Sequence, residues 1–421
     1  MPSPSESALV YDWNTRKRHH KLTRTPVRLY DETLRDGIQG PSIVDPPIDA
    51  KVRILDLTAR LGVEHVNIGL PGAGPRALAD VVALGRHIAD RRLPIRPGCA
   101  ARTVLDDVRP VAQVSQKLGL PIEAMIFLGA SPIRRYVEGW TLEKLLDLST
   151  RAIRFAVAEG LPVTFVTEDT TRSRPADLDP LFRNAIDCGA QRLCLADTVG
   201  HATPDGVKNL VDFTFDVIES TGADVGIDWH GHNDRGLALT NALTAMEAGA
   251  DRIHGTALGI GERVGNASLD QLLVNLRLLG ERDGDLSVLA EWCALVSEAV
   301  DFPIARNYPV LGRDAFRTAT GVHAAAVVKA AKKGDTALVD QVYSGVPAAL
   351  VGRAQQIDVG PMSGLSNVTF WLAAHGYPEN AELAARILQA AKATDRVFSD
   401  EELHALARAR GNEVATGPLG A

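Results

Sequence analysis

A 421-residue chain that is 45% hydrophobic can bury one large core and still furnish a second region, which suits a barrel with an appendage. A net charge of -7 and a pI near 5.9 exclude a general nucleic-acid binder. A membrane span is excluded too, because no apolar run approaches the roughly 20 residues it needs.

The four cysteines, Cys99, Cys188, Cys194 and Cys293, are scattered without a Cys-x-x-Cys pair and read as reduced core thiols of a cytoplasmic protein. The N-terminus has no apolar signal core, and its run Arg16-Lys17-Arg18-His19-His20-Lys21 reads as a solvated basic stretch, so residues 1–25 are expected to be a flexible arm. From residue 26 onward short β-type runs alternate with amphipathic helical patterns. The expected strands are Val27 to Asp31, His65 to Gly69, Ile95 to Cys99, Ala124 to Leu128, Val163 to Thr167, Arg192 to Ala196, Gly226 to His230 and Arg252 to Thr256. Helical patterns between them include Lys51 to Leu61, Ala77 to Ala89, Val104 to Leu118, Leu142 to Glu159, Pro204 to Ser220 and Leu237 to Ala248. Eight such units predict a (β/α)8 TIM barrel over residues 26–281. A doubly wound open sheet is the runner-up, but the first strand runs into Glu32-Thr33-Leu34-Arg35-Asp36-Gly37 and not into a Gly-rich turn. Residues 282–421 change to a mostly helical pattern, with segments at Leu286 to Val300, Ala315 to Lys333, Ala381 to Lys392 and Asp400 to Arg410, and Gly417 to Ala421 is expected to fray.

Chemistry in such a barrel sits at the C-terminal ends of the strands. Arg35, Asp36 and Gln39 follow the first expected strand, Glu168 the fifth and Thr198 the sixth. His230 and His232 come at the end of the seventh, and Gly259-Ile260-Gly261-Glu262-Arg263-Val264-Gly265-Asn266 follows the eighth. Residues i and i+2 of a strand share a side, so the two histidines offer two imidazoles to one point; they either satisfy loop hydrogen bonds or ligate a metal.

Three motifs in order, Leu34-Arg35-Asp36-Gly37-x-Gln39, His230-x-His232-Asn233-Asp234-x-Gly236 and Gly259-x-Gly261-Glu262-Arg263-x-Gly265-Asn266, resemble those of the DRE-TIM metallolyase superfamily. The resemblance spans roughly residues 26–350 and is greatest to its 2-isopropylmalate, homocitrate and citramalate synthase branch. It implies condensation of acetyl-CoA with a 2-oxo acid, followed by thioester hydrolysis. It further implies a divalent ion held by Asp36, His230, His232 and Asn266, with Mg or Mn favoured and Zn also compatible with imidazole ligands. Arg35 would stabilise the alkoxide, and Gln39, Arg134 and Thr198 would hold substrate. Glu168, His323 or Tyr343 would take the proton from the acyl methyl group. In the synthases the C-terminal residues reach the neighbouring subunit's site, which implies a homodimer.

Four departures bear on specificity: Asn67 where the family generally has Glu, Ala130-Ser131-Pro132-Ile133-Arg134-Arg135 in place of Thr-Ser-Pro-Ile-His, Ala324-Ala325-Ala326 after His323 in place of Gln-Asp-Gly, and Gly360-Pro361-Met362-Ser363-Gly364 in place of Gly-Lys-His-Ser-Gly. Arg134 or Arg135 would suit an anionic oxo acid, as in a homocitrate-, citrate- or phosphonomethylmalate-forming enzyme, because Arg pairs with carboxylate and phosphate; solvated arginines at a helix start are the alternative. With no β-rich effector domain before residue 421, no feedback by leucine is expected. A carbon-carbon lyase of the hydroxymethylglutaryl-CoA type is the competing activity, and the His323 and Tyr343 region argues against it.

Overall fold

The computed structural model describes residues 27–409 and the single residue Leu9. The arm expected over residues 1–25, with its basic run, and the fray expected from Gly417 lie outside the described residues. The chain divides into two compact units. The first runs to Asp285 and adds Glu291–Pro303; the second comprises Leu286–Ala290 and the chain from Ile304 onward.

The first unit is a closed barrel of eight strands in sequence order. They are β1 (Arg28–Asp31), β2 (His65–Asn67), β3 (Arg96–Arg102), β4 (Glu123–Gly129), β5 (Val163–Glu168), β6 (Arg192–Asp197), β7 (Gly226–Gly231) and β8 (Arg252–Gly255). Every pairing is parallel, and β8 closes onto β1 with Tyr30 opposite His254. Parallel strands need crossovers, and the amphipathic segments supply them. The helix Leu142–Ala158 shows how: the Thr141 hydroxyl accepts a hydrogen bond from the Lys144 amide at its start, and Leu145, Ala152, Ile153 and Ala156 form its buried face. Each fully buried leucine or isoleucine of this kind contributes about 1.5–3 kcal/mol.

All eight expected strands form, with ends shifted by at most three residues. Helices Pro132–Glu138, Pro175–Asp187 and Leu269–Leu278 add to those expected. Pro175 stands at the first position of its helix, where the missing N–H costs nothing.

Strand alternation sends one set of side chains into the barrel. The lower interior is charged: Arg252, Asp228, Glu123, His65 and Tyr30 are all buried there in mutual contact. Branched aliphatic layers usually fill such a barrel. A buried ion network survives only when every member is paired, and removal of one partner typically costs about 3–5 kcal/mol.

The second unit is mostly helical. Its helices Leu365–Ala374, Ala381–Lys392 and Asp400–Arg408 bury Val368, Trp371, Leu372, Ala384, Ile387 and Leu403 together. The helix expected from Ala315 to Lys333 begins only at Gly321, and Arg317–Thr318 instead pairs as a short parallel strand with Gln356–Ile357. The cause is close packing: the Gly321 amide donates to the Met362 carbonyl, and a Cβ on Gly321 would meet the Gly364 nitrogen at 2.7 Å. Ser363, which follows the departing Pro361 and Met362, is buried and donates to the Ala319 carbonyl at 2.8 Å.

Candidate active site

The C-terminal mouth of the barrel holds a cavity of about 300 Å³. Its lining repeats the period of two: Asn67 of β2, Met125 and Phe127 of β4, Val166 and Glu168 of β5, Cys194 and Ala196 of β6. Arg35, Asp36, Gln39, Thr198, His230, His232, Glu262 and Arg263 complete the upper part. Leu70, Ala100, Met125, Phe127 and Val166 make one apolar wall.

Asp36 sits in the turn after β1, His230 on β7 and His232 just beyond it. Asp36 Oδ2 lies 3.5 Å from His230 Nε2 and 3.4 Å from His232 Nε2, and one ligand atom from each can lie within 4.8 Å of the others. Asn266 is brought beside them by a two-residue bridge between His232 and Asn266, with the Asn233 amide donating to the Gly265 carbonyl at 2.9 Å. Gly265 makes the turn possible: its φ is +86°, and a Cβ there would run into the Gly259 carbonyl. Arg263 ties the two loops together, with Nε and Nη2 at 2.9 and 3.0 Å from the Asp234 carboxylate.

The donor set fits a divalent cation. Asp36 Oδ2 and Asn266 Oδ1 are buried oxygens without a hydrogen-bond partner among the described residues, a costly arrangement that a bound cation would relieve. Burial alone would raise the Asp36 pKa, yet Arg35 and the two imidazoles hold it down at about 2, so the ligand is ionised. Burial pushes His230 down to about 3 and lowers His232 as well, which keeps both imidazoles neutral and able to ligate. Imidazole with carboxylate and carboxamide oxygen suits Mg, Mn or Zn.

The other expected residues fall into two groups. Within the barrel unit, Thr198 lines the cavity and accepts from the Asp169 amide at 2.7 Å, while Thr203 caps the helix that follows. Gln39 is an exposed residue of the lining. Glu168 is half-buried, and that burial raises its pKa although Arg134 opposes the shift. Arg134 Nη1 pairs with Glu138 at 3.0 Å, and its Nε is 3.8 Å from Glu168; the side chain stands behind Glu168 and does not line the cavity. Arg135 turns away to Asp177 at 2.7 Å. Within the second unit, His323 and Tyr343 stack with ring centroids 4.1 Å apart, and both are exposed.

Two cavity residues escaped the sequence reading, Glu32 and His254. Glu32 Oε2 accepts from Arg35 Nε at 2.8 Å, and His254 stands between Glu32 and Asp228 at 3.2 and 2.9 Å. Burial lowers the His254 pKa, but the hydrogen bond to Asp228 and the close Glu32 carboxylate outweigh it and raise the value. The sign was available: Tyr30 and Glu32, Asp228 and His230, and Arg252 and His254 are all i, i+2 pairs sharing the inner face.

The HMGL-like family profile matches residues 26–298. The chain belongs to the HMGL-like family. This is the DRE-TIM domain that the three motifs implied. The chain is 31% identical over 370 residues to a probable 2-isopropylmalate synthase of Ignicoccus hospitalis, covering 87% of each chain. It is 33% identical over 373 residues to the homocitrate synthase AksA of Methanopyrus kandleri, again covering 87% of each. Among solved structures, the Bacillus subtilis HMG-CoA lyase superposes with a TM-score of 0.55 at 20% identity, over 68% of this chain and 97% of that one. At that identity the match speaks for the fold alone.

Proposed function

We propose that this HMGL-like protein joins the methyl carbon of acetyl-CoA to the ketone carbon of a 2-oxo acid and hydrolyses the thioester, releasing free CoA. The observation that carries the reading is the Asp36, His230 and His232 triad, with the unpartnered Asn266 oxygen, beside Arg35 in one cavity. Sequence similarity to both 2-isopropylmalate and homocitrate synthases supports the reaction class.

A divalent ion bound by Asp36, His230, His232 and Asn266 would supply Lewis acidity at the ketone oxygen. Arg35 presents its guanidinium at the same end of the cavity, where negative charge develops as the carbon-carbon bond forms. Glu168 removes the methyl proton, since a half-buried carboxylate of raised pKa is a stronger base than an ordinary one. Thr198 and Gln39 hold the oxo acid. His323 and Tyr343 stand in the family's catalytic pattern, and their part rests on that resemblance.

The acceptor in this reading carries an anionic distal group. Arg134 is not itself a lining residue, but its Nε, buried and without a hydrogen-bond partner among the described residues, lies 3.8 Å from Glu168, which does line the cavity, whereas Arg135 is engaged by Asp177. Thiol release from acetyl-CoA with Mg or Mn should therefore be fastest with oxaloacetate, 2-oxoglutarate or a phosphonate analogue. His230→Ala should abolish it and should remove calorimetrically measured Mn binding. Arg134→Ala should raise KM about tenfold or more for dianionic acceptors only, the scale of a lost charge-assisted hydrogen bond. A clear preference for 2-oxoisovalerate would sink the anionic acceptor, and cleavage of a hydroxyacyl-CoA without any thiol release would move the protein to the lyases.

A further inference from the structure

Arg35 is held from below. Glu32 Oε2 takes both Nε, at 2.8 Å, and Nη2, at 2.7 Å, and leaves Nη1 on the Asp36 side, 3.4 Å from Oδ1. The other oxygen of Glu32 has a polar neighbour too, His254 Nδ1 at 3.2 Å, a close charge contact outside hydrogen-bond geometry. The opposite nitrogen, His254 Nε2, is 2.9 Å from Asp228 Oδ2. Asp228 receives Arg252 Nε at 2.7 Å, and Arg252 is clamped by Glu123 through two bonds of 2.7 and 2.8 Å. Tyr30 stacks on the His254 ring at 4.5 Å and lies under the Arg252 guanidinium at 4.7 Å. Asp36 is the weaker anchor for Arg35, since its contact is longer and its second oxygen faces the two imidazoles.

We infer that Glu32 and His254 are positioning residues: together with Asp228 they form a strut from the charged interior of the barrel to Arg35, fixing the direction in which Nη1 faces the cavity. The inference rests on the reading of Arg35 as a group of the condensation site. A guanidinium fork fixed through two of its nitrogens cannot rotate, so its third points one way only. The His254 ring lies against the second oxygen of Glu32 and opposes a swing of the carboxylate. Such preorganisation matters at the moment charge develops, because no reorganisation is then required. An ordinary core ion pair would contribute to folding alone; this one ends on the cavity, which both Glu32 and His254 line.

The test uses the full-length protein labelled with 15N-arginine, with the Arg35 Nε–H resonance identified by its loss in Arg35→Lys. Hydrogen exchange at that nitrogen should accelerate about tenfold or more in Glu32→Gln and in His254→Phe, as expected for loss of a buried charge-assisted bond. His254→Asn, whose amide nitrogen falls near the place of Nδ1 on the Glu32 side, should recover part of the protection. In the thiol-release assay Glu32→Gln should lower kcat about 100-fold with KM for acetyl-CoA little changed, the scale of a misdirected oxyanion donor. The Glu32→Gln, Arg35→Lys double variant should be no slower than Arg35→Lys alone, because a residue acting through Arg35 has nothing left to position. Unchanged exchange at Arg35 in Glu32→Gln, or kinetic losses that multiply in the double variant, would overturn the strut. Should His254→Phe fail to fold, Glu32→Gln decides by itself. A wild-type protein that releases no thiol with any acceptor would overturn the condensation reading instead, and the exchange measurement would still decide the strut.

Discussion

Glu168 illustrates how one residue's environment sets its chemistry. Its carboxylate lies in the cavity wall, where burial raises the pKa and the neighbouring Arg134 lowers it without cancelling the shift. A general base works only while ionised, so activity should fall as the pH drops through this raised value, at a pH above the ordinary carboxylate range. Measured kcat/KM against pH reports that limb for the free enzyme. Glu168→Gln should cost about 100- to 10,000-fold and remove the limb. An unchanged limb in the variant would pass the proton to another group. Arg134 and Arg135 teach a related lesson at the same scale: adjacent in sequence, one stands behind Glu168 and the other pairs with Asp177 on the outside. Helical geometry separates neighbours by about 100°, and no pattern of residue types says which one faces the mouth.

The loops after β7 and β8 act as one element. The Asn233 amide donates to Gly265, the Ala267 amide to Gly231, and Arg263 bridges to Asp234, so the segments that carry His232 and Asn266 are stitched along their length. Gly265→Ala should disturb this arrangement at its tightest point, where φ is +86° and the added Cβ meets the Gly259 carbonyl. The expected result is a loss of about 1–3 kcal/mol in unfolding free energy. Calorimetric Mn affinity should fall about 10- to 100-fold, because Asn266 moves with the turn. Intact affinity would mean that the loop carries Asn266 independently of Gly265.

For the whole molecule, the division into a barrel unit and a helical unit bears on how the residues cooperate. His323 and Tyr343 belong to the second unit, and the resemblance assigns them to a neighbouring subunit's site. If so, mixing two inactive variants, His230→Ala and His323→Ala, under conditions that exchange subunits should restore about a quarter of wild-type activity. That is the fraction of sites expected to draw two intact contributions from a random mixture. Sedimentation of the wild type should then report a dimer. No recovery in a demonstrably mixed population would confine each site to its own chain.

The barrel was legible because its signal is local: apolar runs of strand length alternating with helical periodicity name eight units whatever their partners, and all eight formed. The grouping of Asp36, His230 and His232 was legible for the same reason, since the two histidines are fixed on one side by the period of a strand and Asp36 lies in the turn after β1. The split of the expected Ala315 to Lys333 helix was not legible, because it depends on Gly364 packing against Gly321 from 43 residues away in the chain. Nor was the interior network. Glu123, Asp228, Arg252 and His254 lie on three strands separated by long crossovers, and each alone reads as an isolated charge near the edge of an apolar run. By itself the sequence determined which faces turn inward and which residues stand at the strand ends. Only barrel closure, which sets β8 beside β1 and so brings His254 between Glu32 and Asp228, decided that those charges pair with one another and hold Arg35.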